Sequence, residues 1–145
     1  MIQNAASPNY VIDDLYSIQF VTAQKGWAVG YGGIIHQTTN GGQTWENILK
    51  VTRDNLNSVH FIDAQTGWAT AENGNLFKTS NGGQLWQIQN TGTNNTLNSI
   101  QFINSQTGWL AGNSGTILKT TNAGQLWQIQ NSGTTNNLVK VHFSD

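Results

Sequence analysis

Cysteine is absent from the chain, so neither a disulfide framework nor a thiolate metal site can form. Charge is nearly as scarce: Asp, Glu, Lys and Arg make up 9% of the 145 residues, against about a quarter in an average globular domain. The net charge is −1, and Arg53 is the single arginine. With no basic stripe to follow a phosphate backbone, nucleic acid is not expected as a partner. No apolar run approaches the roughly 18 residues of a membrane-spanning helix, so no membrane insertion is expected. Proline occurs once, at Pro8, and no long segment shows a helical period. The stretch from Met1 to Pro8 has neither a basic segment nor a long apolar run, so no signal peptide is expected in this chain. Localisation stays open, and a secreted or periplasmic parent is compatible with all of this.

What fills the chain instead is a repeat. Thr38-Thr39-Asn40-Gly41-Gly42-Gln43-Thr44-Trp45 returns as Thr79-Ser80-Asn81-Gly82-Gly83-Gln84-Leu85-Trp86 and as Thr120-Thr121-Asn122-Ala123-Gly124-Gln125-Leu126-Trp127, a period of 41 residues. Leu15, Leu56, Leu97 and Leu138 keep the same period, as do Phe20, Phe61, Phe102 and Phe143. So does the dipeptide Gly26-Trp27, which recurs as Gly67-Trp68 and Gly108-Trp109. The organisation expected is a tail over 1–14, three whole units over 15–55, 56–96 and 97–137, and the first strand of a further unit over 138–145. Ile2-Gln3-Asn4 matches Ile129-Gln130-Asn131 and reads as the end of a preceding unit.

Each unit reads as four short strands between Gly- and Asn-rich turns. In the third unit they are Leu97–Ile103, Thr107–Ala111, Thr116–Thr120 and Leu126–Gln130. Four strands in about 40 residues, repeated, predict an all-β fold, a β-propeller of four-stranded blades. A blade covers both faces with its neighbours, which accounts for two tryptophans per unit.

The turn has a physical reading of its own. Asn40, Asn81 and Asn122 can accept hydrogen bonds from backbone N–H groups one or two residues on, as an Asx-turn does. Gly42, Gly83 and Gly124 supply the positive φ such a turn needs. Thr38, Thr79 and Thr120 open the motif, and Trp45, Trp86 and Trp127 close it with a large apolar area. The pattern Ser/Thr-x-Asx-x-Gly-x-x-Trp resembles the Asp-box, or bacterial neuraminidase repeat. That resemblance implies a structural role, closing the hairpin between the third and fourth strands of each blade. Asn stands in all three copies where that family has Asp, which argues against calcium at these turns.

From Leu15 to Asp145 the succession of an apolar strand ending in Phe, Gly-Trp, a Gly turn and Thr-Thr-Asn-Gly-Gly-x-Thr-Trp resembles the photosystem II stability/assembly-factor-type repeats. The resemblance implies a propeller whose photosynthetic members bind a reaction-centre protein through an arginine-rich patch. Arg53 alone cannot reproduce that patch. A protein or peptide partner is therefore expected, without a photosynthetic role being implied.

Enzyme sites find no support. Sialidases, which share the Asp-box, resemble one another in three arginines, and one arginine makes no triad. Glycoside hydrolysis needs two facing carboxylates, whereas Asp13, Asp14, Glu46, Asp54, Asp63, Glu72 and Asp145 each read as a solvated surface charge, with Asp63 and Glu72 becoming Asn104 and Asn113 one unit on. His60 and His142 lie two periods apart, with Gln19 and Gln101 at equivalent places, and read as polar channel lining in which His and Gln interchange. No metal or cofactor is expected, at His36 or elsewhere. The informative departures are in the first unit. Glu46, Lys50, Arg53 and Asp54 replace a Gln- and Asn-rich stretch, and Tyr31 stands where later units have Glu72 and Asn113. Tyr31, Arg53, Glu72 and Asn113 are the candidate ligand contacts, because loops on a rigid scaffold carry function.

Three units do not close a ring of about 4–8 blades. The expectation is self-association, with a homodimer favoured and the 138–145 strand of one chain completing a blade of the other; the alternative is a fragment of a longer propeller. Function is expected to be a non-enzymatic scaffold binding a protein or peptide. The alternative is a glycan-binding module, which an exposed ring of tryptophans would favour.

Overall fold

The computed structural model describes residues 14–144, the side chains of Ile48 and Leu49 excepted. Residues 1–13, most of the expected tail, lie outside the described residues, as does Asp145. Twelve strands are present: β1 Leu15–Phe20, β2 Gly26–Gly30, β3 Ile34–Thr38, β4 Glu46–Lys50, β5 Leu56–Phe61, β6 Gly67–Ala71, β7 Leu76–Thr79, β8 Gln87–Gln89, β9 Leu97–Phe102, β10 Gly108–Gly112, β11 Ile117–Thr120 and β12 Gln128–Gln130. They form three four-stranded sheets in sequential order, β1 to β4, β5 to β8 and β9 to β12. Every pairing is antiparallel. Each sheet is the meander of one propeller blade.

The first strand of each blade is bulged near its start, with register shifts between Leu15 and Ser17, between Leu56 and Ser58, and opposite Leu97. A bulge lets residues three apart share a face. Leu56, Val59 and Phe61 thus all turn to the first blade and bury against Trp27, Val29 and Ile35. Leu97, Ile100 and Phe102 repeat the arrangement against Trp68 and Leu76. The tryptophan of Gly-Trp lies flat on the phenylalanine of the next blade: Trp27 on Phe61 at 3.5 Å and 5°, Trp68 on Phe102 at 4.0 Å and 18°. The turn tryptophan meets the same phenylalanine edge-on, Trp86 at 5.8 Å from Phe61 and Trp127 at 5.9 Å from Phe102.

The glycine of Gly-Trp is explained by the same phenylalanine. A Cβ at Gly67 would come within 2.6 Å of the Phe61 ring, and one at Gly108 within 2.8 Å of Phe102. The ring covers the bare backbone of the neighbouring strand, and no side chain fits beneath it.

Two expectations are corrected. The fourth strand of the third blade begins at Gln128, not Leu126, because the Leu126 N–H is bonded to Asn122 Oδ1 at 2.9 Å inside the turn. Residues 138–144 form no strand. They still lie along β9 as β5 lies along β1. Val141 N–H donates to Ser99 Oγ (3.1 Å) and Phe143 N–H to Gln101 Oε1 (2.9 Å), while Asn98 Nδ2 donates to Leu138 O (2.9 Å). The first blade already has its own first strand, so the segment cannot complete that blade in another chain unless β1 gives way.

Candidate functional site

The two ends of the sheets are built by different loops. At one end the Asn-containing turns fold over the β1–β2 type loops, with Gly41, Gly82 and Ala123 N–H donating to Gln24, Gln65 and Gln106 carbonyls, all at 2.9 Å. Within each turn the threonine hydroxyl, buried by its strand, accepts the glycine N–H. Gly42 donates to Thr38 at 2.9 Å, Gly83 to Thr79 at 2.9 Å and Gly124 to Thr120 at 3.0 Å. The asparagine Oδ1 accepts from the residue four on, Thr44 N–H at 3.0 Å, Leu85 and Leu126 N–H at 2.9 Å. The span is wider than the one- or two-residue Asx-turn expected, because the threonine hydroxyl takes the inner N–H and leaves asparagine the outer one. Gly42, Gly83 and Gly124 have φ of 84°, 91° and 77°.

The other end carries the β2–β3 turns and the linkers between blades. All four candidate contacts lie there. Tyr31 starts the first turn, donating its N–H to Asp14 O at 2.8 Å while its side chain is exposed. Arg53 is exposed and lines a shallow cavity of about 580 Å³ together with Gly32, Lys50, Val51 and Thr52. Lys50 and Arg53 make that cavity basic. Glu72 and Asn113 share their turn position with Tyr31 but are tied into the fold. Glu72 Oε1 accepts from Asn55 Nδ2 at 3.0 Å, and Asn113 Oδ1 accepts from Asn98 Nδ2 at 2.9 Å. The structure thus puts the four on one end, with Arg53 beside the turn that follows Tyr31 and the other two in later blades.

Asn55 was not among the sequence candidates. It accepts Gly32 N–H at 2.9 Å while donating to Glu72, and so fastens the first turn to the second. Asp54 joins the same linkage, accepting from Asn75 Nδ2 at 2.8 Å. Lys50 also stood inside the divergent stretch, and only its place in the cavity marks it out. Asp63 is used at the opposite end, where its Oδ1 accepts Gln65 and Thr66 N–H at 2.7 Å. Among the described residues no group of three or more His, Cys, Asp and Glu is placed to hold a metal.

The positions expected to line a channel fall on the first strands, and their side chains reach the backbone of the next blade. Gln19 Nε2 donates to Phe61 O at 3.0 Å while its Oε1 accepts Phe61 N–H, so one side chain grips both backbone groups of the next blade. His60 stands at the same place one blade on and accepts Phe102 N–H at 3.3 Å. Burial holds its imidazole neutral and lowers its pKa from 6.5 to about 4. None of the six tryptophans is exposed, so the exposed tryptophan ring that would favour a glycan is not found.

With this geometry the known proteins can be compared. The family model described as photosynthesis system II assembly factor YCF48 matches residues 47–138. This chain belongs to that family. Among solved structures the chain is similar to YCF48 bound to D1 peptide, at 26% identity and a TM-score of 0.73 over 85% of this chain and 43% of that one. It is also similar to YCF48 from Cyanidioschyzon merolae, at 18% identity and a TM-score of 0.79, over 94% of this chain and 47% of that one. An ancestral GH74 enzyme shares the fold at 22% identity and a TM-score of 0.67, over 82% of this chain and 19% of that one. The chain spans less than half the length of the two YCF48 structures. Among curated proteins none matches it. The fold of this YCF48-family chain is therefore a β-propeller of four-stranded blades. Among the described residues no helix is long and apolar enough to cross a membrane.

Proposed function

We propose that this chain is a non-enzymatic propeller scaffold that binds a protein segment or peptide on the end carrying the β2–β3 turns. The observation that carries the reading is the membership of the YCF48 family together with the likeness to a member solved with a peptide bound. The chain's own residues supply a suitable surface. Tyr31 offers a rigid amphipathic ring, and Lys50 and Arg53 offer cations beside it that suit an acidic side chain or a terminal carboxylate. Glu72 and Asn113 continue the same rim in the next two blades, oriented by Asn55 and Asn98. The glycan alternative has no ring of exposed tryptophans in its favour.

The test is fluorescence anisotropy with a labelled D1 peptide and with peptides selected from a display library. Selected peptides should bind saturably, and Tyr31→Ala and Arg53→Ala should each weaken binding about tenfold, a loss of about 1.4 kcal/mol. Binding that neither substitution touches would move the site off this end. The absence of any binding peptide would remove the function.

The second part of the proposal is that two chains associate to complete the ring. Its support is that the outward flank of β1 leaves Leu15, Ile18 and Phe20 exposed, while the same positions of the second and third blades are buried. Light scattering on a sizing column tests it, with twice the 15.8 kDa chain mass expected.

A further inference from the structure

The second and third blades each present a slot to the blade before them. In the second, Phe61, Gly83 and Trp86 form it and Trp27 fills it, so closely that a Cβ at Gly83 would lie 3.0 Å from the Trp27 Nε1. In the third, Phe102, Gly124 and Trp127 hold Trp68, with a Cβ at Gly124 only 2.9 Å from its Nε1. The first blade builds the same slot from Phe20, Gly42 and Trp45. Its two rings already stand edge to face at 5.9 Å and 80°, as in the other two. The atoms nearest to a Cβ at Gly42 belong to Trp45 and Phe20 of its own blade, at 3.7 and 3.8 Å. The flank around it is open: Leu15, Ile18 and Phe20 are 51%, 59% and 40% exposed, where Leu56, Val59 and Phe61 are 0%, 5% and 2%.

The key to this slot stands at the other end of the chain. Trp109 is the third tryptophan of the Gly-Trp series, after Trp27 and Trp68. It meets the ring of Phe143 at 4.5 Å and a tilted 38° instead of the near-parallel stack of Trp27 and Trp68. Lys119 lies over it with Nζ 5.2 Å from the ring centre, as Lys78 lies over Trp68 at 5.3 Å. Lys78 continues to the carbonyl of Ala123 in the next blade, at 2.9 Å. Lys119 is thus set for the equivalent carbonyl, which belongs to Gly41.

We propose that Trp109 of one copy of this chain inserts between Phe20 and Trp45 of a second copy, against Gly42, with segment 138–144 leaving Trp109 to admit it. This rests on the self-association reading above and names its seam. The segment is a stand-in: Leu138, Val141 and Phe143 occupy on the third blade the places that Leu15, Ile18 and Phe20 of the second copy take. Two such seams, one at each end, close a ring of six blades, within the range of about 4–8 that propellers adopt. Because the contact is head-to-tail, closure is what separates a finite dimer from a filament.

The test uses the full chain, Phe143→Asp and Ile18→Asp, with mass followed by light scattering over a concentration series. The Phe143 substitution removes the competitor from Trp109, so the dimer should form at about tenfold lower concentration than in the parent. Ile18 is exposed, so its substitution should leave the far-ultraviolet circular dichroism unchanged while keeping the protein monomeric. A parent that dimerises, with both variants behaving like it, would overturn this seam and leave self-association standing. Monomers in all three would overturn both.

Discussion

At the scale of single residues, the repeat makes its own controls. Gly67 lies under the Phe61 ring with no room for a methyl group. Gly67→Ala should therefore destabilise the chain by about 1–3 kcal/mol, the usual cost of overpacking a close-packed core. Urea denaturation would measure it, and an unchanged midpoint would show that the ring shifts freely. His60 offers a second control, because its neighbours in the repeat are glutamines that both accept and donate. Its folded-state pKa is lowered to about 4, so the unfolded chain takes up the proton at higher pH than the folded one. Stability present above about pH 6.5 is then lost as pH falls to about 4, by at most about 3 kcal/mol. His60→Gln should flatten this part of the profile and add the missing donor. Urea midpoints measured from pH 7 to pH 4 on the parent and His60→Gln would reveal it, since the two proteins differ at that residue alone. Parallel profiles would clear His60 of the effect.

At the scale of elements, the turns between third and fourth strands are held by side-chain oxygens, and two of the three fourth strands are only three residues long. Asn81 Oδ1 accepts both the Leu85 N–H and the Thr79 hydroxyl, at 2.9 and 3.0 Å. Asn81→Ala should cost about 1–2 kcal/mol through the donors it strands. Asn81→Asp keeps the acceptor and should stay close to the parent. Thermal unfolding of the two variants distinguishes an acceptor role from a mere preference for small residues. The inter-blade linkers obey the same logic with other residues. Asn55 and Asp54 reach forward to Glu72 and Asn75, so the rim of the proposed peptide site is fixed by the blade that follows it. The sequence marked Glu72 and Asn113 by their position opposite Tyr31. It gave no sign that their polar atoms were already engaged, because their partners lie 15 to 17 residues away across a turn.

At the scale of the whole molecule, a repeat array is governed by what each unit presents to the next. The same seam occurs twice among the described residues, and its two halves occur once more, on the first and third blades. This is why the proposed dimer and the internal packing are one argument, and why light scattering bears on both. The period of 41, the four strands per unit, the threonine–asparagine–glycine turns and the Gly-Trp pairs were all determined by the sequence alone. Each depends on residues that are neighbours in the chain, and three copies in step make the pattern unmistakable. Tertiary structure alone decided that Trp27 lies on Phe61 in the next blade, that His60 works as an imperfect glutamine, and that Tyr31 and Arg53 share one end with a basic cavity. It also decided that residues 138–144, alike in sequence to β1, pair with no second strand. Those outcomes depend on surfaces meeting across blades, and a repeating sequence specifies both surfaces of a seam without saying which copies will meet.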